Sequence, residues 1–271
     1  SPRDNRARRG QAEAHSTAPQ ETMDKYHIFN EIGAGKNSQE FKGRQKKTVT
    51  YVAVKRVAKD QMSKVVNEVQ MMHALRHPHA LKFFDWYETR NNLWLILEYC
   101  SGGDLKSLLR VDRQLPVPAV TLFGGDLLAG LQYLHHHGVL YCDLRPSNVL
   151  VDDHGVLKLA DFGLSTSANM TSMSQSSAGG RGTLPFKAPE LFAHPPVVSK
   201  AADVYAFSIL AWIVVSGEQP YASMESAATM LPTAVDEGVR PTLANGDDWC
   251  DLTTNSISKL IEACWSGAAR A

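Results

Sequence analysis

Two aspartates, an asparagine and an arginine near the middle of the chain are residue types that suit phosphate chemistry. Asp143, Arg145 and Asn148 lie within V-L-Y-C-D-L-R-P-S-N-V-L-V (139–151), and Asp161 follows in K-L-A-D-F-G-L (158–164). A carboxylate can orient a hydroxyl proton, and carboxylate and amide oxygens are the ligands that Mg²⁺ prefers. The other interpretation is structural, with a polar turn followed by an ordinary exit from a strand. The presence of both segments at this separation favours the chemical interpretation.

These segments and a third, A-P-E at 188–190, resemble the catalytic core of eukaryotic protein kinases in order and spacing. The resemblance implies that Asp143 orients the substrate hydroxyl and that Asn148 and Asp161 hold Mg²⁺. It places Arg145 beside the transferring phosphate, where most serine/threonine kinases carry lysine. Thr183, in G-T-L-P-F-K-A-P-E, matches the threonine that bonds the catalytic aspartate in serine/threonine kinases. Ser and Thr hydroxyls are therefore the expected acceptors.

The beginning of the chain resembles the glycine-rich loop and lysine strand of the same family. Y-H-I-F-N-E-I-G-A-G (26–35) reads as a strand entering a glycine turn, and T-V-T-Y-V-A-V-K (48–55) as a strand. Glycines there let backbone amides approach phosphates. Two departures are Ser38 in place of the third glycine and Glu40 in place of the valine that covers adenine. A carboxylate at that position is expected to weaken nucleotide binding unless it turns to solvent.

The resemblance also supplies the remaining nucleotide contacts. Lys55 would hold the α- and β-phosphates and pair with Glu68, on a helix predicted over 64–75. E-Y-C-S-G-G-D-L (98–105) resembles the hinge, with Leu97 as gatekeeper. Asp104 either bonds ribose or caps the next helix, and both alternatives stay open. The complete predicted nucleotide site is Ile32, Gly33, Gly35, Ala53, Lys55, Leu97, Glu98, Cys100, Asp104, Asn148, Leu150 and Asp161.

The catalytic loop departs from the H-R-D pattern of the family. Tyr141 and Cys142 replace the histidine and the arginine, and the missing arginine grips an activation-loop phosphate in many kinases. The resemblance implies that Tyr141 fills the space of the histidine in a stack that joins the lobes, with Met72, Phe83 and Phe162. It also implies that Asp203, at the start of an almost wholly apolar helix (203–216), braces the backbone of the catalytic loop.

The expected fold is α+β, a two-lobed kinase with a small β-rich N-terminal lobe and a larger, mainly helical C-terminal lobe. We expect a disordered tail at 1–22, the first lobe at 23–99 and the second at 100–271. Residues 1–22 are too polar to bury a core. Further strands are predicted at 81–87 and 93–97, and helices at 105–110 and 117–137. Residues 169–182 are predicted to form a mobile activation loop.

Composition narrows the class of protein. The chain has 271 residues, 44% of them apolar, and a formal net charge of zero, so bulk attraction to nucleic acid is not indicated. Its four cysteines are scattered, which favours a reducing, cytoplasmic location. No apolar run is long enough to suggest membrane insertion. His73, His77 and His79 lack a carboxylate or cysteine that would complete a metal site.

The predicted activity is therefore ATP- and Mg²⁺-dependent transfer of phosphate to Ser and Thr hydroxyls of a protein substrate. The alternative is a pseudokinase, a nucleotide-binding or scaffolding module without transfer, and a scaffold or regulatory partner fits either. The first two thirds of the chain resemble the unc-51-like and Fused kinases, whereas A-D-V-Y-A-F-S (202–208) and G-V-R-P (238–241) resemble the tyrosine-kinase-like group. We also expect the second lobe to be truncated, leaving Glu190 without its usual arginine, so that an extended chain would melt higher.

Overall fold

The computed structural model describes residues 23–35, 38–168, 182–224, 227–243 and 252–267. The predicted tail at 1–22 and residues 169–181 of the predicted activation loop (169–182) lie outside these ranges. The described chain groups into two compact units. The first comprises the residues up to Met62 together with Phe84–Leu97, and the second comprises Ser63–Phe83 and the residues from Glu98 onward.

The first unit is built on a five-stranded sheet in the order β1-β2-β3-β5-β4. The strands are β1 (Tyr26–Ala34), β2 (Ser38–Gln45), β3 (Tyr51–Ala58), β4 (Phe83–Glu88) and β5 (Asn92–Glu98). β2 pairs antiparallel with both β1 and β3. The alternating β-branched residues of β3 bury one face, where Val52 and Val54 pack with Tyr87 and Ile96. This apolar layer fixes the register that sets which side chains of β1, β2 and β3 share a face.

The second unit is mainly helical. Its helices are α1 (Met62–Ala74), α2 (Leu105–Asp112), α3 (Val117–His136), α4 (Lys200–Ser216), α5 (Ala227–Asp236) and α6 (Leu252–Gly267). Its short strands are β6 (Gly103–Asp104), β7 (Val139–Leu140), β8 (Val149–Val151), β9 (Leu157–Leu159) and β10 (Thr166–Ser167). They form one sheet in the order β6-β8-β9 and a separate pair, β10-β7. The described elements confirm the α+β architecture expected from the sequence.

Helix α4 forms the centre of the second unit because it is apolar on nearly every side. Tyr205, Ile209, Trp212 and Ile213 belong to one buried cluster with α5 and α6, through residues such as Leu231 and Ile261. Gly217 ends the helix in the left-handed conformation, with φ of 69°, as a helix C-terminal glycine commonly does. The first turn of α4 carries Asp203 into the interior.

Helix α3 has the length and mean hydropathy of a membrane span. It packs against α4 and β9 within the second unit, and it buries Leu127, Leu131 and Leu134 there. Packing inside the unit therefore accounts for part of its apolar character.

Candidate active site

A buried carboxylate holds the backbone of the catalytic loop. Asp203 is 1% exposed, and its two oxygens accept the backbone N–H groups of Tyr141 at 2.9 Å and Cys142 at 2.8 Å. Cys142 adopts a positive φ of 69°, a conformation that a non-glycine residue keeps when its surroundings fix it. The structure thus confirms that Asp203 braces this loop, and it shows that the bracing acts on the residues immediately before Asp143.

Asp143 is itself buried and lies among donors. The Thr183 hydroxyl donates to Asp143 Oδ1 at 2.9 Å, and Asn148 Nδ2 donates to Asp143 Oδ2, also at 2.9 Å. Asn148 Nδ2 is also 3.0 Å from the Asp143 carbonyl oxygen. Arg145 Nε lies 3.3 Å from Asp143 Oδ2, within ion-pair distance but without hydrogen-bond alignment. The structure therefore brings three other predicted residues together around the carboxylate of Asp143.

Asn148 presents its side-chain oxygen away from Asp143. Because both Asp143 atoms that it contacts are acceptors, the amide nitrogen must face them. The amide oxygen is thus left to accept from, or coordinate, another group. A neutral amide oxygen is a hard ligand of the kind that Mg²⁺ binds, so Asn148 can serve both Asp143 and a metal ion.

Asp161 reaches its position through an unusual backbone conformation. Its φ of 55° and ψ of 75° place it in the left-handed region, where a side chain is tolerated at some cost. A side chain at Gly163 would lie 3.3 Å from Asp161 Oδ1 and 3.7 Å from Glu68 Oε2. Glycine at that position therefore leaves room for two carboxylates, with Glu68 buried and Asp161 exposed. The Asp161 carboxylate and the Asn148 amide oxygen are both of the ligand types that Mg²⁺ prefers.

Tyr141 occupies the interior behind this site. It is fully buried, its ring packs edge-on against Phe162 with centroids 5.5 Å apart, and its hydroxyl donates to the Ala160 carbonyl. Burial and the nearby charges of Asp161 and Asp143 raise the pKa of this phenol well above its ordinary value, so it stays neutral. Met72 and Phe83, the other predicted members of the stack, are each 2% exposed. The contact between Tyr141 and Phe162 confirms one pair of the predicted stack, and the places of Met72 and Phe83 in it stay a prediction.

Four predicted nucleotide residues of the second unit lie at the end of β5, in the segment that follows it and on β8: Glu98, Cys100, Asp104 and Leu150. Burial, followed by the charge of Glu98, raises the pKa of the Cys100 thiol to about 12. Asp104 Oδ1 accepts the Ser107 N–H at 2.6 Å, which makes Asp104 the cap of α2. That contact confirms the capping alternative. The ribose contact stays a prediction, since the carboxylate keeps further lone pairs that can accept a hydrogen bond. Leu150 is partly buried on β8, opposite Asp104 in the β6-β8 pair.

The glycine turn belongs to the first unit, and its departures from the family pattern have visible consequences. The Gly35 N–H donates to the Ser38 carbonyl at 2.8 Å, and a side chain at Gly35 would meet Ser38 Oγ at 2.7 Å. Glu40 pairs in register with both Gly33 and Lys55. Residues directly opposite in an antiparallel pair share a face, so these side chains lie on the same side of the sheet.

The other predicted residues of the first unit differ in exposure. Ile32 is 47% exposed, Ala53 is partly buried on β3 and Leu97 is buried at the end of β5. Lys55 is partly buried in the first unit, and Glu68 is buried in the second. The expected pairing of Lys55 with Glu68 stays a prediction.

One structural partner is not evident from the sequence. His135 belongs to a run of three histidines whose only evident role in the sequence is to suit the dipole at the end of α3. In the structure, its Nε2 lies 2.7 Å from Asp203 Oδ2, so Asp203 has a third partner from a separate helix. Nothing in the run distinguishes the histidine that faces the interior, because the signal lies in the tertiary packing.

Comparison with known proteins places these observations in a family. A family model described as "Protein kinase domain" matches residues 26–269. The chain is 46% identical over 241 residues to serine/threonine-protein kinase RUNKEL of Arabidopsis thaliana, covering 89% of this chain and 17% of that protein. It is 32% identical over 259 residues to serine/threonine-protein kinase ULK4 of Mus musculus, covering 88% of this chain and 20% of that protein. The chain thus spans about a fifth of the length of these curated relatives.

Proposed function

The chain belongs to the protein kinase domain family, of the serine/threonine type, and from this premise we propose that it transfers the γ-phosphate of ATP to Ser and Thr hydroxyls of a protein substrate. The observation that carries the proposal is the surroundings of Asp143. Its carboxylate is buried, held from behind by the Asp203-braced loop, and bonded by Thr183 and Asn148. The geometry gives this carboxylate one fixed orientation.

Asp143 has the capacity to receive a substrate hydroxyl. A carboxylate offers about four lone-pair sites, of which Thr183 and Asn148 each occupy one on different oxygens. The remaining sites can accept the proton of an acceptor hydroxyl and align its oxygen for attack. Arg145, whose side chain is 37% exposed, places a permanent positive charge beside the same carboxylate. That charge is positioned to offset negative charge developing on the transferred group.

The residues present fit a magnesium ion. Asn148 turns its amide oxygen away from Asp143, and Asp161 adds an exposed carboxylate, which together form a donor set of hard oxygen atoms. Magnesium bound there supplies neutralisation of phosphate charge. The part played by the chain is to hold both ligands rigidly. Asn148 is fixed by its two contacts to Asp143, and the segment before Asp161 by the Tyr141 hydroxyl bond to Ala160.

A second candidate function is a pseudokinase that binds nucleotide or a partner without transfer. Glu40 favours it, because its carboxylate lies on the same face of the sheet as Gly33 and Lys55. A negative charge on that face opposes the approach of a triphosphate. The first proposal is favoured by the second unit, where Thr183 makes its predicted bond to Asp143 and Asn148 adds a second bond.

The test is a transfer assay with γ-labelled ATP and one peptide made in Ser, Thr and Tyr versions. The proposal predicts labelling of the Ser and Thr peptides, loss of labelling when Mg²⁺ is chelated, and little labelling of the Tyr peptide. Equal labelling of Tyr would contradict the acceptor assignment. Binding of ATP without labelling of any peptide would favour the pseudokinase.

A further inference from the structure

A buried lysine joins three segments of the second unit. Lys158, on β9, is 8% exposed. Its Nζ lies 3.0 Å from Glu98 Oε1 and 3.5 Å from Asp152 Oδ2, and it donates to the Pro78 carbonyl at 3.0 Å. An ammonium group has three N–H donors, and here each has an acceptor within reach. Although burial opposes the charge, the hydrogen bond and charge of Glu98 and the charge of Asp152 raise the pKa of Lys158.

Each acceptor belongs to a different part of the chain. Pro78 lies in the loop after α1, Glu98 ends β5, and Asp152 follows β8. Asp152 is held in turn by the backbone N–H groups of His154 and Val156, which donate to its Oδ1 at 2.8 and 2.9 Å. The lysine therefore ties the end of β5 to a turn that has its own internal hydrogen bonds.

Glu98 is fixed on its other side by Lys82. Its Oε2 accepts the Lys82 N–H at 3.1 Å, and its own N–H donates to the Lys82 carbonyl at 2.9 Å. Both carboxylate oxygens and the backbone nitrogen of Glu98 thus have partners. The residue begins the segment 98–104 that leads into α2, so its orientation sets the path of that segment.

Packing supplies less of this support where an open pocket lies beside the network. A cavity of about 300 Å³ borders the network, lined by Leu75, Arg76, His77, Pro78, Ala80, Lys82, Glu98 and Lys158. Closely packed side chains normally hold a segment in place, and a cavity on one side removes those contacts. Polar bonds to Lys158 and to the Lys82 backbone therefore support Glu98 beside this cavity.

We infer that Lys158 is a positioning residue for nucleotide binding, acting by holding the Glu98–Cys100 backbone through the Glu98 carboxylate. The inference rests on the proposed function and on the resemblance of 98–105 to the kinase hinge, which implies that the backbone groups of Glu98 and Cys100 meet adenine. Lys158 belongs to none of the predicted phosphate or acceptor positions, so it is not a catalytic residue. Without it, the Glu98 and Asp152 carboxylates would face each other without a cation between them and would move apart.

The test replaces Lys158 with Met, which nearly keeps the length of the side chain and removes its charge. We expect Mg-ATP affinity to fall about tenfold, the KM for ATP to rise to match, and kcat at saturating ATP to change little. Amide hydrogen exchange at 98–103 should become faster. Lys158→Arg should keep part of the Mg-ATP affinity and part of the protection of these amides. Lys106→Met, which changes an exposed lysine of α2 in the same way, should alter neither the affinity nor the exchange.

Unchanged ATP affinity and unchanged exchange at 98–103 in folded Lys158→Met protein would overturn the inference. Should that variant fail to fold, Glu98→Gln decides the question, since it keeps shape and backbone while removing the ion pair. It should weaken ATP binding and accelerate the same amides, and no effect on either would overturn the inference. If the wild type binds no ATP, the proposed function fails, and the exchange measurement still shows whether Lys158 holds the segment.

Discussion

Two carboxylates in the interior of the second unit differ in how their oxygens are paired. Asp203 is 1% exposed and accepts from two backbone N–H groups and from His135. Glu190, in A-P-E, has two buried oxygens with no hydrogen-bond partner within the described part of the chain. Burial raises the pKa of Glu190, and the residue's own backbone N–H and then the charge of Arg240 offset this in part. Asp203 stabilises the structure around it, whereas the buried, unbonded oxygens of Glu190 lower the free energy of unfolding.

The difference shows where the fold places its polar bonds. A charge-assisted bond to a backbone N–H is stronger than a neutral one, and Asp203 makes two of them to adjacent residues. These bonds hold Cys142 at positive φ directly before Asp143. Glu190 instead lies in a short 3-10 turn (Pro189–Leu191), where its backbone carbonyl accepts the Val197 N–H at 3.0 Å. Of these two carboxylates, the fully paired one is therefore the one that orients the catalytic loop.

Replacing Asp203 should have the largest effect of the substitutions that test this contrast. Asp203→Ala would leave two backbone N–H groups and the His135 ring without their acceptor, at a cost of about 3–5 kcal/mol. The expected result is a fall in Tm on the order of 10 °C, together with loss of transfer activity. Thermal unfolding followed by circular dichroism would measure it. Asp153→Ala, at a carboxylate whose side chain is 75% exposed, is the matched control and should leave Tm nearly unchanged.

Removing the hydroxyl of Tyr141, whose backbone Asp203 holds, should have an intermediate effect. Tyr141→Phe keeps the edge-on contact with Phe162 but leaves the Ala160 carbonyl without this donor. An unsatisfied buried acceptor costs about 1–3 kcal/mol. We expect this loss of unfolding free energy in urea, with an unchanged m value. Stability equal to that of the wild type would show that the ring, and not the hydroxyl, accounts for the role of Tyr141.

Neutralising the unpaired carboxylate should have the smallest effect and the opposite sign. Glu190→Gln removes a buried charge without a bonded partner, so we expect a gain of up to about 1 kcal/mol at neutral pH. A raised carboxyl pKa stabilises the fold below the ordinary pKa, and that contribution is lost as pH rises through the folded value. The gain of the variant over the wild type should therefore grow as pH is raised from below to above the ordinary carboxyl pKa.

Thermal melts of both proteins across that pH range would measure this difference. A strongly destabilised Glu190→Gln protein would show that the attraction of Arg240 outweighs the cost of burying the carboxylate, and the contrast with Asp203 would then be wrong.

The catalytic contacts were predictable because they follow from short motifs. Asp143 and Thr183 lie within two motifs of fixed spacing, and the structure joins them as expected. The bond from Asn148 to Asp143 was not predicted. Asp203 was predictable for the same reason, through its place at the start of an apolar helix. The predicted helix at 64–75 was nearly right, but α1 begins at Met62 because a turn of 3-10 helix at Lys59–Gln61 leads directly into it.

Partners that are distant in sequence could not be predicted. Strict alternation in L-K-L would place Lys158 on the exposed face of a strand. All three residues of β9 are buried instead, because other elements cover both faces, and the lysine finds its acceptors on three separate segments. The contact of His135 with Asp203 is hidden from the sequence for the same reason. Residue type and local pattern indicate a charge, whereas only the tertiary fold determines its partner.

The most direct test of the whole account compares Asp143→Asn with the wild type in two measurements, Mg-ATP affinity by calorimetry and phosphate transfer to a Ser peptide. Because Asp143 is assigned to the acceptor hydroxyl and not to the nucleotide, we predict transfer to fall by about 10²–10⁴-fold while affinity changes little. An equal loss of binding and transfer would contradict that assignment. Wild-type transfer no greater than that of the variant, in folded protein that binds Mg-ATP, would contradict the proposal that this chain is an active kinase.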